Sequence, residues 1–140
     1  MKINIHRNTD TPLPKYQTEG AAAVDLHSTV DTVLQAKKII SIPIGLRFEI
    51  PQNYELQIRQ RGSLAKKGII IPNAPGTIDS DFRGEVFVLL LNTSTEDFEI
   101  KIGDRVAQAV LNKFEKMEFV ENEKLSETER GEGALGSTGV

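Results

Sequence analysis

The segment that decides the fold is Ile44-Gly45-Leu46-Arg47-Phe48-Glu49-Ile50-Pro51-Gln52-Asn53-Tyr54-Glu55-Leu56-Gln57-Ile58-Arg59. Apolar side chains occupy every second position on both sides of a short polar interruption, which is the pattern of strands with one buried face. The interruption, Pro51-Gln52-Asn53, carries residues that favour turns. The segment therefore predicts two β-strands joined as a hairpin.

The same alternation recurs in other short segments, which are separated by Pro, Gly, Asn and Asp. Further strands are predicted at Lys2–Arg7, Ala23–His27, Gly68–Ile71, Phe98–Ile102, Arg105–Phe114 and Met117–Val120. One short helical turn is predicted near Ser63–Lys67. This count of strands predicts an all-β subunit, either a β-sandwich or a distorted jelly roll.

An uninterrupted apolar run, Val86–Leu91, breaks the alternation inside Gly84–Asn92. Such a run predicts that both faces of the strand are buried. In a chain this small, one face is expected to pack on the core and the other on a partner subunit, with burial under a loop as the alternative. The run therefore favours an oligomer.

The composition excludes several classes of protein. A length of 140 residues suits one domain, and a net charge of -3 gives no reason to coat nucleic acid or an anionic membrane. With no cysteine, thiolate metal sites are excluded and a reducing, cytoplasmic location is expected. No apolar stretch reaches the length of a signal peptide or a membrane span, so neither is expected. His6 and His27 are expected at the surface or on edge strands rather than on a metal.

Three polar segments carry more functional groups than a β-sandwich needs. In Arg59–Gly68, two arginines lead into a turn whose glycine and serine could bind an anion, although a solvated basic turn has the same composition. In Asn73–Gly84, Asp79 and Phe82 could serve a water and a sugar, although loop aspartates commonly form turns. The tail Arg130–Val140 repeats the arginine, glycine and hydroxyl composition, with a frayed terminus as the alternative.

These segments, together with two others, resemble in order the five sequence motifs of the trimeric dUTPase family. The matching segments are Gly20–Leu26, Arg61–Ala65, Asn73–Gly84, Gly103–Gln108 and Arg130–Gly139. Each match alone is weak, but five in register span nearly the whole chain. The chain is therefore similar to a dUTP diphosphatase.

The resemblance implies a dUTPase-like β-clip subunit, which is a distorted jelly roll, and a homotrimer with active sites at the subunit boundaries. It implies Mg²⁺-assisted hydrolysis of dUTP to dUMP and pyrophosphate, which limits uracil incorporation into DNA and supplies dUMP for thymidylate synthesis. Residues 1–122 would form the β domain. Residues 123–140 would form a mobile C-terminal arm that closes the active site of a neighbouring subunit.

The resemblance also implies roles for single residues. Asp79 would be the general base that activates water for attack on the α-phosphorus. Asp25 would position Mg²⁺ through the water shell of the metal. The substrate-binding set would comprise Arg61, Gly62, Ser63, Asn73, Gly76, Thr77, Ile78, Phe82, Gln108, Arg130, Leu135, Gly136, Ser137 and Thr138.

The chain departs from the pattern of the family in three places. The order Gly62-Ser63 replaces the usual Ser-Gly, so the hydroxyl comes one position later. Phe82 replaces a tyrosine that stacks under the deoxyribose, and Leu135 replaces an aromatic residue that covers uracil. Because an aromatic contact contributes on the order of 1 kcal/mol beyond burial, Leu135 predicts weaker closure of the arm rather than an inactive enzyme.

Three alternative functions stay open. One is a relative of dCTP deaminase on the same fold, which would need an acidic residue where this chain has Leu89, since Glu85 comes too early. Another is a catalytically silent nucleotide-binding protein with the same fold. The third is an unrelated β-sandwich interaction domain with a disordered tail.

Overall fold

The computed structural model describes residues 1–8 and 10–134 of the chain. Those residues contain eleven β-strands and one helix of four residues. In chain order the elements are β1 (Asn4–Arg7), β2 (Val24–His27), β3 (Thr32–Leu34), β4 (Ile39–Pro43), β5 (Leu46–Glu49), β6 (Tyr54–Arg59), α1 (Gly62–Ala65), β7 (Ile69–Ile70), β8 (Gly76–Ile78), β9 (Phe87–Asn92), β10 (Phe98–Ile100) and β11 (Arg105–Lys113). The predicted all-β fold is confirmed, and the helical turn begins one residue before its predicted position. No helix in the described ranges is long and apolar enough to cross a membrane.

The strands form four small antiparallel sheets around one core. The largest sheet has the order β2-β11-β6-β8, and a second has the order β4-β9-β7. Two pairs, β1 with β5 and β3 with β10, complete the arrangement. This architecture agrees with the predicted distorted jelly roll.

The core consists of aliphatic side chains that alternate along the strands. Leu56 and Ile58 of β6 point inward, whereas Arg59 on the same strand is exposed. Full burial of one such side chain stabilises the fold by about 1.5–3 kcal/mol relative to exposure. Among the described residues, the aliphatic side chains buried to 1 % exposure or less are Leu26, Leu34, Ile42, Ile44, Leu46, Ile69, Val86, Val88, Leu90, Ile100 and Ala107.

The predicted hairpin between residues 44–50 and 54–59 is wrong. Strand β5 pairs with β1, placing Phe48 opposite Ile5, whereas β6 lies between β11 and β8. The turn at Pro51-Gln52-Asn53 is present, since the amide of Tyr54 donates to the carbonyl of Pro51 at 3.1 Å. Alternation fixes which face of a strand is buried but not which strand pairs with it, so the turn carries the chain from one sheet to another.

Other strand boundaries also differ from the prediction. Residues Met117–Val120 form no strand, and their apolar side chains are exposed. Strands β3, β4 and β8 were not predicted. Strand β4 was missed because the alternation through Ile40, Ile42 and Ile44 runs on in the sequence past Gly45. In the structure Gly45 has a φ of 66°, which bends the chain and ends β4 before β5 begins.

Strand β9 has one buried and one outer face. Val88 and Leu90 are 1 % exposed, as predicted for the face that packs on the core. On the outer face, Phe87 is 49 % exposed and Leu89 is 37 % exposed. Ile39 of the neighbouring β4 adds an apolar side chain that is 55 % exposed. Burial of this outer face by a partner subunit stays a prediction.

Asn92, at the end of β9, is a fully buried polar residue with a complete set of hydrogen bonds. Its amide nitrogen donates to the carbonyls of Leu34 at 3.1 Å and Glu96 at 2.7 Å. Its side-chain oxygen accepts from the amide of Ser94 at 2.9 Å and from the hydroxyl of Ser94 at 2.7 Å. Because every polar group of the side chain is bonded, its burial avoids the cost of an unsatisfied amide.

Candidate active site

An ion pair between Asp25 and Arg61 forms the centre of the candidate site. Asp25 lies on β2, and Arg61 follows the end of β6 at the start of α1. Nε of Arg61 donates to Oδ1 of Asp25 at 3.0 Å. The side chains are only 14 % and 20 % exposed, so solvent weakens this pair less than it weakens a surface pair. Two residues that the sequence assigned to one site are therefore in contact.

Ser63 and Gln108, to which the resemblance gives phosphate-binding roles, lie beside this pair. Nη1 of Arg61 lies 3.5 Å from the hydroxyl oxygen of Ser63, which leaves the hydroxyl hydrogen free to donate. Gln108 is paired in register with Asp25 on one side, and its Nε2 donates to the carbonyl of Gln60 at 2.8 Å. An amide nitrogen carries two hydrogens, so one remains available for a ligand.

The sequence did not single out Gln60, which holds the segment that carries Arg61. Its Nε2 donates to the carbonyl of Ile69 at 3.0 Å, and its Oε1 accepts from the amide of Ile71 at 3.0 Å. These contacts join the end of β6 to β7. A glutamine between two charged residues gives no pattern from which this role could be predicted.

Arg105 is a second residue that the sequence did not single out. Its Nη1 lies 3.6 Å from Oδ2 of Asp25, and its backbone carbonyl accepts from Nη1 of Arg61 at 3.1 Å. Asp25 is therefore contacted by one guanidinium group on each oxygen. The only signal in the sequence is that Arg105 lies in the same motif as Gln108.

A cavity of about 240 Å³ opens next to the ion pair. Three of its lining side chains are cationic and one is acidic, so its net charge favours an anion. Guanidinium groups match phosphate oxygens in pairs, which makes this cavity suited to a polyphosphate. The cavity is lined by Arg61, Ser63, Leu64, Lys67, Leu90, Phe98, Ile100, Asp104, Arg105 and Val106.

The third motif, residues 73–84, forms a separate part of the site around β8. Gly76 is buried, and a Cβ there would lie 3.3 Å from both Nδ2 of Asn73 and Cβ of Ile58. Thr77 and Ile78 complete β8. The close approach of strand β6 to Gly76 therefore leaves little room for any larger residue.

A tight turn carries Asp79 and Phe82, both of which are exposed. The amide of Phe82 donates to the carbonyl of Asp79 at 3.2 Å. Nη1 of Arg83 donates to the carbonyls of Ser80 at 2.7 Å and Phe82 at 3.0 Å, which holds the turn together. The turn thus presents a carboxylate and an aromatic ring to solvent on one short loop.

The structure does not bring Asp79 close to Asp25 and Arg61. Ile78 is paired with Leu56, so Asp79 lies at the level of residue 55 on β6. The chain from residue 55 to residue 61 covers roughly 20 Å at about 3.3 Å per residue. One chain therefore carries the two groups at opposite ends of a strand.

The C-terminal segment is described only up to residue 134. Nε of Arg130 donates to the carbonyl of Gly133 at 2.8 Å, and the side chain is exposed. Residues 114–134 contain no helix or strand. The described residues do not include four residues with predicted binding roles, Leu135, Gly136, Ser137 and Thr138.

The histidines lie on edge strands, as expected. His6 is exposed on β1, and His27 is half-buried on β2. Burial lowers the pKa of His27 below its ordinary value of 6.5, with Asp25 raising it and Arg105 and Arg61 lowering it further. Within residues 1–8 and 10–134, no group of three or more His, Cys, Asp or Glu side chains could hold a metal ion.

Known proteins resemble the chain along its whole length. A family model described as dUTPase matches residues 9–139. The deoxyuridine 5'-triphosphate nucleotidohydrolase of Nautilia profundicola is 51 % identical, with 99 % of each chain covered. The protein of the same name from Helicobacter pylori strain J99 is 44 % identical and covers 100 % of this chain and 98 % of its own.

Solved structures agree with the fold. The dUTPase of Staphylococcus bacteriophage 80alpha, solved as a mutant with dUpNHpp, has a TM-score of 0.92 at 21 % identity and covers 99 % of both chains. The dUTPase of phage phi11 of S. aureus has a TM-score of 0.81 at 18 % identity, and its structure describes a structural Mg(II) ion. It covers 89 % of this chain and 98 % of its own.

Proposed function

Because the chain belongs to the dUTPase family, we propose that it is a dUTP diphosphatase, which hydrolyses dUTP to dUMP and pyrophosphate. The observation that carries this proposal is the Asp25–Arg61 pair beside a cationic cavity, because it offers a carboxylate and phosphate-binding groups side by side. In a cell the reaction would keep uracil out of DNA and supply dUMP for thymidylate synthesis. The predicted cytoplasmic location stays a prediction.

The chain would act as a homotrimer in which each active site takes residues from different subunits. Asp79 lies roughly 20 Å along strand β6 from Arg61 within one chain, so one chain alone does not bring them to a single α-phosphorus. The exposed Phe87, Leu89 and Ile39 provide an apolar surface for contact between subunits. A second subunit would therefore supply Asp79 to the cavity beside Arg61.

The residues fit a Mg²⁺ ion that arrives with the nucleotide. The described side chains do not form a cluster that could hold a metal by itself, and both oxygens of Asp25 are already in contact with guanidinium groups. Mg²⁺ keeps several waters and commonly takes its remaining ligands from substrate phosphates. Asp25 would hold it through water, and the ion would neutralise charge on the triphosphate during attack.

The remaining residues would bind and orient the substrate. Arg61, Ser63 and Gln108 would hold phosphate oxygens, with Gly62 allowing close approach of the backbone. Asp79 would take a proton from the water that attacks the α-phosphorus in line with the leaving pyrophosphate. This allocation needs positioning and charge neutralisation but no covalent intermediate.

The loop around β8 would select the nucleoside. Asn73 and the backbone of Gly76, Thr77 and Ile78 would read the edge of uracil, and cytosine would be refused because its amine places a donor where uracil has an acceptor. The ring of Phe82 would lie under the deoxyribose and leave no room for a ribose 2′-hydroxyl. Substrate selection thus belongs to a loop that lies apart from the phosphate site of the same chain.

Residues 123–140 would form the arm that closes a neighbouring site, and residues 1–122 the β domain. Arg130, Ser137 and Thr138 would contact the γ-phosphate, with Gly136 giving the backbone room and Leu135 covering the base. The absence of strand or helix in residues 114–134 supports a segment free to reach another subunit. Ten extended residues span up to about 33 Å.

The deaminase alternative has little support. Glu85, the acidic residue nearest the required position, accepts from the amide of Gly45 at 3.1 Å and from Nδ2 of Asn8 at 2.9 Å. Both of its oxygens are therefore engaged, one by a backbone amide and the other by a side-chain amide. Leu89 faces outward and is apolar.

The test is a substrate panel. Purified protein with Mg²⁺ is mixed separately with dUTP, dCTP, dTTP and UTP, and pyrophosphate release is followed beside an Asp79→Asn variant. Release from dUTP alone, lost in the variant, is expected. Binding of dUTP without release in any tube would instead favour the silent nucleotide-binding protein, and ammonia release from dCTP would favour the deaminase.

A further inference from the structure

We propose that Arg105 is a positioning residue that fixes the carboxylate of Asp25 for its role toward the Mg²⁺ and triphosphate complex. The proposal rests on the function proposed above. The proposal concerns the guanidinium group of Arg105. Within one chain this group does not contact Asp79, the proposed general base.

The contacts around Asp25 carry the first step. Nε of Arg61 holds Oδ1 at 3.0 Å, and Nη1 of Arg105 lies 3.6 Å from Oδ2. A carboxylate held through one oxygen can still turn about its terminal bond, whose rotation is broad in free side chains. Cationic groups at both oxygens fix that rotation, so the lone pairs directed away from the two arginines keep one direction.

The backbone of the same residue holds the other partner. The carbonyl of Arg105 accepts from Nη1 of Arg61 at 3.1 Å. Arg61 is therefore fixed at one end by Asp25 and at another by strand β11. Because a carbonyl survives any side-chain substitution, replacing Arg105 removes the guanidinium contact to Asp25 but leaves the backbone contact to Arg61 in place.

A β-bulge in β11 makes this contact possible. Gln108 is paired with Asp25, and Arg105 is paired with His27, which lies two residues beyond Asp25 on the same face of β2. Gln108 lies three positions after Arg105, so in a regular strand their side chains would point to opposite faces. The register shifts between Arg105 and Ala107, and this extra residue turns both side chains to the face of Asp25.

Packing explains why the bulge is stable. Val106 and Ala107 are adjacent in sequence, yet both are buried, at 2 % and 0 % exposure. In a regular strand with one buried face, only one of two residues adjacent in sequence would be buried, because their side chains point to opposite faces. The apolar core therefore holds the irregularity that directs Arg105 toward the site.

Charge alone and positioning predict opposite effects on metal binding. The side chain of Arg105 is 53 % exposed and cationic, so once the nucleotide is bound its charge repels Mg²⁺, and at saturating nucleotide its removal would by charge alone tighten metal binding. If Arg105 instead orients Asp25, its removal weakens metal binding. The sign of the change therefore separates the two roles.

The experiment compares full-length wild type with Arg105→Ala, Arg105→Lys and a matched control, Lys113→Ala, which removes an exposed cation from the far end of the same strand. One readout is Mn²⁺ binding by electron paramagnetic resonance at a concentration of a non-hydrolysable imido analogue of dUTP that saturates each variant. The second is the Mg²⁺ concentration that half-saturates pyrophosphate release. Circular dichroism and thermal melting check that each variant folds.

Arg105→Ala is expected to weaken Mn²⁺ binding and raise the Mg²⁺ requirement by on the order of tenfold, as for other residues that orient metal contacts. Arg105→Lys should recover part of the loss, and Lys113→Ala should match wild type. Mn²⁺ binding that stays unchanged or tightens in Arg105→Ala would overturn the proposal.

Two further outcomes are also decisive. If Arg105→Ala fails to fold, Arg105→Lys alone decides, because a lysine lacks the planar fork and should still weaken Mn²⁺ binding. If wild type releases no pyrophosphate from dUTP, the proposed function fails instead, and that result is visible before any variant is compared.

Discussion

The ring of Phe82 lies directly against the backbone of Gly84. A Cβ placed on Gly84 would come within 2.5 Å of Cζ and 2.9 Å of Cε2 of that ring. Real Cβ atoms do not lie this close to another atom. The ring of Phe82 can therefore rest where it does only because Gly84 has no side chain.

Gly84→Ala is therefore expected to displace the ring of Phe82. A displaced ring would fit the deoxyribose less well and would exclude a ribose less strictly. The ratio of kcat/KM for dUTP to that for UTP should fall by on the order of tenfold. Steady-state kinetics with both nucleotides measures this ratio. Gly20→Ala is the matched control, because nothing lies within 4 Å of a Cβ there, and equal ratios in both variants would contradict the prediction.

Two inactive variants are expected to rescue each other when mixed. In a site built from two subunits, Asp25→Asn and Asp79→Asn chains that are unfolded together and refolded as mixed trimers should regain activity. Random mixing in equal amounts leaves about one quarter of the sites with both native residues. Activity near that fraction of wild type is expected from the mixture, while each variant refolded alone stays inactive. A mixture as inactive as its parts would mean that each site lies within one chain.

A chain that ends at residue 129 is expected to keep its fold and lose most of its activity. Residues 114–134 add no strand or helix, so the melting temperature should change little. Loss of Arg130 and the hydroxyl groups after it should lower kcat/KM for dUTP by at least about tenfold. Lys124→Ala, a change in the same segment, serves as control. Full activity in the shortened chain would refute the proposed arm.

His27 should make the folded protein less stable below neutral pH. Burial lowers its pKa in the folded chain below 6.5, so the unfolded chain binds the proton more tightly. The stabilisation that comes from burying the neutral side chain of His27 is fully present at pH values above its pKa in the unfolded chain, about 6.5. It is lost as the pH falls from there toward the lower pKa of His27 in the folded chain. Melting temperatures measured from pH 7.5 to pH 5 should fall further for wild type than for His27→Gln. Parallel curves for the two proteins would show that His27 does not contribute.

Much of the fold could be predicted because burial patterns are local. The alternation in β6 predicted its position and its inward residues, β11 was expected as a strand over 105–114, and the turn at residues 51–53 was recognised from its composition. Pairing partners are not local, which is why the hairpin between β5 and β6 was wrong. Strand β8 was hidden because three residues are too few to show a period.

The site was predicted in part. The family motifs assigned Asp25, Arg61 and Ser63 to one site, but they did not point to Arg105, because its side chain reaches Asp25 only through the bulge in β11. The only mark of the bulge in the sequence is the adjacent apolar pair Val106 and Ala107, and such a pair also occurs in strands that are buried on both faces. The separation of Asp79 from Arg61 likewise depends on register, which motif spacing does not reveal.

Asn92 has a consequence for how the molecule unfolds. Its amide joins β9 to the carbonyl that ends β3 and to the segment that leads into β10. The β3 and β10 pair has only two strands, and an isolated pair of that kind is marginally stable. Tied through one interior side chain to a larger sheet, it should open only when that sheet opens. Backbone amides on both should then exchange with deuterium at the same slow rate, as members of a single cooperative unit.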